Sequence, residues 1–276
     1  MNSRISASIV LYHTSVTDVE KLLRCLLESP IEQIYLIDNS RTDKLKYLQT
    51  LSATKIRYLF NNKNIGFGAA HNIALKAAIA ERANYHIVLN SDLEFDNGII
   101  ENLSAYMDAH LNVGLIMPKV LYPDNSVQYL CKLLPEPFDL IFRRFLPLKE
   151  IVNKRNTKYE MHASNYNCIM NIPNLSGCFM FLRVSSIQET GLFDERFYMY
   201  CEDTDLVRRI HQKYQTLFYP QVSIIHQYNK ESYRNRRLMW IHIKSAIRYF
   251  NKWGWIWDKE RRDINKKVIK CYLSAK

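Results

Sequence analysis

The sequence predicts an α/β fold in which an open, largely parallel sheet is flanked by helices. Three observations predict it. Through the first 120 residues short apolar runs alternate with helical patterns, which is the order that right-handed strand–helix–strand crossovers produce. Most of the strand-like runs end on Asp, Asn or His. The chain is also of a size, 276 residues with 47% apolar and 24% charged side chains, to bury one full core, with at most a small appendage.

The elements follow in order. Ala7–Tyr12 reads as a buried strand, followed by an amphipathic helix over Asp18–Leu27 with Val19, Leu22, Leu23 and Leu26 on one side. Ile34–Ile37 is a second strand ending at Asp38, Asn39 and Ser40, then a helix near Asp43–Leu51 and a strand at Ile56–Phe60. Ala69–Ala83 is strongly helical, and His86–Leu89 is a strand ending at Asn90, Ser91 and Asp92. Helix Ile99–His110 and strand Gly114–Met117 close this series. Between about Leu121 and Asn171 prolines and basic residues replace clear periodicity. Strand Gly177–Leu182, a helix from Asp203 or Thr204 to Tyr214, and strand Thr216–His226 follow.

Composition narrows the class. The six cysteines are scattered without zinc spacing, as expected of reduced thiols in a reducing compartment. The apolar N-terminal run is too short and interrupted for a signal peptide or a membrane span, so a cytoplasmic location is expected. Net charge is +11, and residues 228–276 carry 14 Lys/Arg against 4 Asp/Glu, leaving the first 227 close to neutral. All four tryptophans, 240, 253, 255 and 257, also lie in that last stretch.

In open α/β sheets ligands bind beyond the carboxyl ends of the strands, where Tyr12, Asp38, Asn61, Asp92 and His226 fall. Asn64-Ile65-Gly66-Phe67-Gly68 precedes the helix carrying His71 and Asn72; its glycines permit close backbone approach, and a helix N-terminus favours a diphosphate. A plain turn into a helix explains the same residues. Asp92, projecting from a strand end, offers a hard oxygen ligand for Mg2+ or Mn2+, and His226 a nitrogen acceptable to Mn2+. Glu202-Asp203-Thr204-Asp205 follows the aromatic run Phe193–Tyr200. Carboxylates there can cap a helix, and an aromatic wall also suits a sugar and raises a carboxylate toward general-base use.

Taken in order, the segments Ser8–Tyr12, Ile37–Ser40, Asn64–Asn72, Leu89–Asp92, Ser176–Met180, Gly191–Phe197 and Tyr200–Leu206 resemble family 2 of the glycosyltransferases, within it the bacterial rhamnosyltransferase-like branch. The resemblance spans roughly residues 5–226. It implies the GT-A fold, a Rossmann-like mixed sheet flanked by helices, over residues 1–227, with a nucleotide-binding half at 1–120 and an acceptor-binding half at 121–227. It implies that Tyr12 and Asp38 hold the nucleoside and that the loop of Asn64, Gly66 and Asn72 lies along the nucleotide sugar. Asn90, Ser91 and Asp92 occupy the place of the family's Asp-x-Asp motif, with Asp92 and His226 on the metal, Mn2+ or Mg2+. Asp203 is then the general base, with Glu202 beside it in acceptor binding. The reaction implied is an inverting transfer, in bacterial O-antigen or capsule synthesis, from dTDP-rhamnose or a UDP-hexose to a saccharide acceptor that is lipid-linked.

The remaining 228–276 form a basic, Trp-rich helical tail. Arg237, Lys244, Arg248 and Lys252 fall on one helical side, with Trp240, Ile243, Ile247 and Phe250 on another. That pattern fits an anionic inner-membrane surface, and equally a stripe packed on the catalytic domain. No nucleic-acid motif accompanies the charge. A nucleotidyltransferase would carry a basic, glycine-rich N-terminal phosphate loop where this chain has Tyr12-His13-Thr14; a non-catalytic adaptor on the same scaffold would bind without turnover.

Overall fold

The computed structural model describes residues 3–144, 148–227 and 236–273. In chain order the first half comprises β1 (Ile5–Leu11), α1 (Val16–Leu27), β2 (Gln33–Asp38), β3 (Ile56–Phe60), α2 (Phe67–Ala80), β4 (Tyr85–Leu89), β5 (Leu93–Glu94), α3 (Ile99–Ala109) and β6 (Val113–Leu121). Strands β2 and β4 are buried along their whole length because helices cover both faces. The period of two is visible in the packing. Ile34 and Leu36 join the large core with Val19, Leu22, Leu23 and Leu26 of α1, while Tyr35 and Ile37 meet Ala70 and Ala74 of α2. The expected helix near 43–51 is a short 3-10 helix, Lys46–Leu51, with only Leu48 buried. One apolar anchor does not offset the cost of nucleating a full α-helix.

The region without clear periodicity forms short pieces: β7 (Cys131–Lys132), α4 (Pro137–Leu140), α5 (Lys149–Tyr159), β8 (Met170–Asn171) and β9 (Asn174–Leu175). Beyond them come β10 (Phe179–Arg183), α6 (Val184–Thr190), α7 (Glu202–His211), β11 (Gln215–His226), α8 (Arg236–Trp253) and α9 (Lys259–Tyr272). The main sheet runs β3-β2-β1-β4-β10-β6-β11-β5, with β8 added against β11. Strands β1 to β4 and the β6–β11 pair are parallel, as the alternation predicts. Strand β10 is antiparallel to both neighbours, so the sheet is mixed. Its reversed direction starts it opposite the end of β4, with Phe179 paired to Leu89, and brings the Ser176-Gly177-Cys178 turn to the ligand edge.

The C-terminal helices pack on the body. Ala246, Tyr249 and Phe250 of α8 are buried with Leu140, Phe197 and Cys201. Of the apolar stripe expected on this helix, Ile243 and Phe250 are buried, while Trp240 and Ile247 stay exposed. Arg208 of α7 is almost wholly enclosed, making paired bonds to Asp258 (2.8 and 2.9 Å), a bond to Glu260 (2.7 Å) and a stack on the Trp253 ring at 4.1 Å. The start of the basic tail at 228–235 lies outside the described residues. Among the described residues no helix is long and apolar enough to cross a membrane.

Candidate active site

Two polar clusters meet at the carboxyl edge of the sheet. The first lies where β4 and β11 end. The Nε2 of His226 is 3.3 Å from the Asp92 carboxylate and 3.3 Å from the Asn90 amide nitrogen. On its other side the His226 Nδ1 is 3.0 Å from Gln128 Oε1. The Gln128 amide nitrogen donates to the carbonyls of His226 (2.8 Å) and Leu121 (3.2 Å), which fixes the amide orientation. Oε1 can only accept, so Nδ1 carries a proton and Nε2 is directed toward Asn90 and Asp92. Such outer hydrogen bonding is what orients a histidine that ligates metal. Gln227 N donates to Asp92 O at 3.1 Å and closes the corner. Ser91 is half-buried between the two.

Among the described residues no three His, Cys, Asp or Glu side chains gather as a metal-holding group. Asp92 and His226, 3.3 Å apart, nevertheless offer one oxygen and one nitrogen to a cation that completes its shell with water and phosphate oxygens.

The second cluster is the start of α7. One Asp203 oxygen accepts from Gly177 N (2.9 Å) and the other from Thr204 N (2.7 Å), so the carboxylate is fixed by main-chain donors, with lone pairs to spare. A Cβ at Gly177 would stand 3.0 Å from the Asp203 Cβ, so this residue sits tightly under the carboxylate. Cys178 O in turn accepts from Asn90 N at 2.8 Å. The two clusters are thereby tied to adjacent residues of one turn.

Glu202 and Asp205 behave differently. Glu202 is buried, its Oε2 has no partner, and burial, followed by the Asp203 charge, pushes its pKa well above the usual carboxylate range. It packs near Gly68 rather than opening onto the edge, since a Cβ on that glycine would be 3.5 Å from the Glu202 Cβ. Asp205 is fully enclosed and bonded to Arg209 (2.9 Å), Lys252 (2.7 Å) and the Trp253 indole (2.8 Å).

The nucleotide-side residues divide in the same way. Tyr12 is exposed beside His13 at the end of β1. Asp38 is buried at the end of β2, accepting from Ser40 N at 2.8 Å and from the Tyr58 hydroxyl. Asn64 Oδ1 accepts from Gly66 N (2.9 Å) and shapes the loop. Gly66 has φ +96°, and a Cβ there would lie 2.4 Å from Tyr198 O, which accepts from Phe67 N at 3.0 Å. Asn72 is committed to protein: its amide donates to Phe193 O and Glu195 (both 2.9 Å) and accepts from Phe193 N (3.0 Å). His71 is also enclosed, its Nδ1 2.7 Å from Ser8 Oγ, in a chain with His86 and Ser6. Gln128 is the supporting residue that pattern reading passes over; Gly177 reads only as the start of a strand and part of the Ser176–Met180 segment, not as the support of Asp203.

A Rossmann-like sheet whose strand ends gather carboxylates, an imidazole and a glycine-gated loop defines a GT-A type nucleotide-sugar enzyme. Residues 8–191 match the family model for glycosyl transferase family 2, two thirds of the chain, and the protein belongs to that family. It is 26% identical over 213 residues to N-acetylglucosaminyl-diphospho-decaprenol L-rhamnosyltransferase of Mycobacterium tuberculosis, covering 72% of this chain and 67% of that one. With dTDP-rhamnosyl transferase RfbF of Shigella flexneri it shares 28% identity over 129 residues, 47% of this chain and 43% of the relative. Within the family these relatives place it in the rhamnosyltransferase-like branch. Its fold is similar to the crystal structure of GalNAc-T7 with UDP, GalNAc and Mn2+, with a TM-score of 0.62 and 16% identity over 83% of this chain and 44% of that one.

Proposed function

We propose that the protein transfers a sugar, with inversion, from a nucleotide-sugar donor to a lipid-linked saccharide acceptor in bacterial surface polysaccharide synthesis. The observation that carries this reading is the Gly177–Cys178 turn, which holds Asp203 on one residue and Asn90 on the next. The base for the acceptor and the group that receives the leaving diphosphate must lie across one reacting carbon, and this turn fixes their spacing. The names of the relatives favour dTDP-rhamnose as donor and a diphosphate-linked lipid saccharide as acceptor; UDP-hexoses fit every residue discussed.

In this mechanism Asp203 takes the proton from the acceptor hydroxyl as that oxygen attacks the anomeric carbon. The bond to the nucleoside diphosphate breaks on the opposite face, so the configuration inverts. A divalent cation, Mn2+ or Mg2+, held by Asp92 and His226 would supply positive charge to the leaving diphosphate, with Asn90 and Ser91 beside the nucleotide sugar. Tyr12 and Asp38 position the nucleoside, and the loop of Asn64 and Gly66 borders the sugar. Asn72 supports that loop's helix through Phe193, and buried Glu202 backs the start of α7.

The body works beside an anionic membrane surface. The support for this is the loop between α8 and α9, where Ile256 and Trp257 are 70% and 84% exposed, next to exposed Lys259, Arg262 and Lys266. Incubation with dTDP-rhamnose or a UDP-hexose, a diphosphate-linked lipid saccharide and Mn2+ is expected to yield an elongated acceptor of inverted configuration. Retention of configuration, or no product from any such donor, would overturn the reading.

A further inference from the structure

The basic row on α8 does not face one environment. Lys252, its last member, is neutralised by Asp194 (2.9 Å) and Asp205 (2.7 Å). The three cations before it, Arg237, Lys244 and Arg248, line an open cleft of about 800 Å3 together with Tyr198, Trp240 and Ser245. Among the described residues no carboxylate lines this cleft. Its walls are held in place. Ser245 Oγ donates to Met199 O (2.7 Å), and the Arg248 guanidinium to Arg196 O (2.6 Å), which directs that cation without cancelling its charge.

The position of the cleft is as informative as its charge. Tyr198 forms one wall, and its carbonyl accepts from Phe67 N, at the glycine-gated loop of the nucleotide side. Four residues after Tyr198 the chain enters α7, with Asp203 in its first turn. The cleft therefore borders the reacting edge while lying outside the cluster of Asp92 and His226. A saccharide alone is neutral and needs no such charge. A diphosphate monoester carries two to three negative charges, which suit a cleft lined by lysine and arginine side chains. The exposed Trp240 ring offers a face on which an adjoining sugar or lipid stem can lie.

We propose that this cleft is the acceptor's anion site: Arg237, Lys244 and Arg248 bind the diphosphate that joins the acceptor saccharide to its lipid, and Trp240 packs against the group beside it. The proposal rests on the reading of the protein as a lipid-acceptor transferase. It gives α8 a substrate role distinct from membrane contact.

The test uses the full chain with its donor site filled by saturating dTDP or UDP and Mn2+, and farnesyl diphosphate as the probe. The unmodified protein is expected to bind farnesyl diphosphate under these conditions. The double variant Lys244→Gln/Arg248→Gln should raise its Kd at least tenfold, leaving the melting shift produced by nucleotide unchanged, and Lys244→Arg should retain binding. Inorganic pyrophosphate, lacking the lipid stem, should bind more weakly than farnesyl diphosphate, with the difference reduced in Trp240→Ala. An unchanged Kd in the double variant would overturn the proposal, as would farnesyl diphosphate binding that nucleotide abolishes. Loss of binding to phosphatidylglycerol vesicles with farnesyl diphosphate binding intact would make the cleft a membrane contact and overturn it too. Absence of any nucleotide shift in the unmodified protein would remove the transferase reading, and this assignment with it, through a separate readout.

Discussion

The ligand edge of the sheet and the C-terminal helical pair both concentrate charged side chains, and they use them in opposite ways. At the edge, Asp203 is held by main-chain N–H groups, partners that orient it without neutralising it, and a glutamine amide fixes the His226 ring beside Asp92. In the helical pair, Arg208, Asp258, Asp205 and Lys252 are joined in close ion pairs at low exposure, and their charge is spent on docking α8 and α9 to α7. Charge held by neutral partners remains available to a ligand; charge held by an opposite charge belongs to the fold.

The largest expected effect falls on the helical pair. Arg208→Met should destabilise the protein by about 3–5 kcal/mol, because it removes the paired bonds to buried Asp258 and leaves it only Arg261 at 4.0 Å as counter-charge. Denaturant unfolding measures this, and a loss under about 1 kcal/mol would break the distinction between the regions. At the edge, Gln128→Leu removes the acceptor that fixes the His226 ring. Affinity for Mn2+ should fall about 10- to 100-fold with little change in melting temperature; unchanged Mn2+ dependence of turnover would remove Gln128 from the site.

A smaller effect concerns pH. Burial lowers His86 to about 3 and His211 to about 4 from an ordinary 6.5, and lowers His71 well below that value. Since the unfolded chain binds these protons and the folded chain does not, stability is full above pH 6.5 and is lost as pH falls through the window toward 4. Each histidine contributes a slope of about 1.4 kcal/mol per pH unit in that window. Melting curves between pH 7 and 5 should show the decline, and His86→Gln should flatten it.

The strand ends were legible in the sequence because a buried parallel strand is an apolar run, and its first polar residue marks the edge; Asp38, Asn90, Asp92 and His226 all emerge there. The reversed strand β10 was not, because an apolar run carries no direction. Gln128 was not, because its partner is 98 residues away and nothing in the local pattern distinguishes it. The Trp240, Ile243, Ile247 and Phe250 stripe of α8 looks the same whether its partner is lipid or protein; the structure buries Ile243 and Phe250 and leaves Trp240 and Ile247 exposed. Asn72 read as a ligand contact because an Asn in the first turns of a helix at a loop edge does not reveal that its amide faces the Phe193 backbone.

Asp203 and Asp205 put the comparison within one helical turn, and measuring transfer rate and melting temperature for Asp203→Asn and Asp205→Asn side by side tests it most directly. Asp203→Asn should keep its melting temperature and nucleotide binding and lose about 10^2- to 10^4-fold in transfer rate. Asp205→Asn should lose about 3–5 kcal/mol of stability, leaving Arg209 without its carboxylate and Lys252 paired to Asp194 alone. An Asp203→Asn enzyme that still transfers sugar at the normal rate, or an Asp205→Asn protein as stable as the parent, would contradict the account.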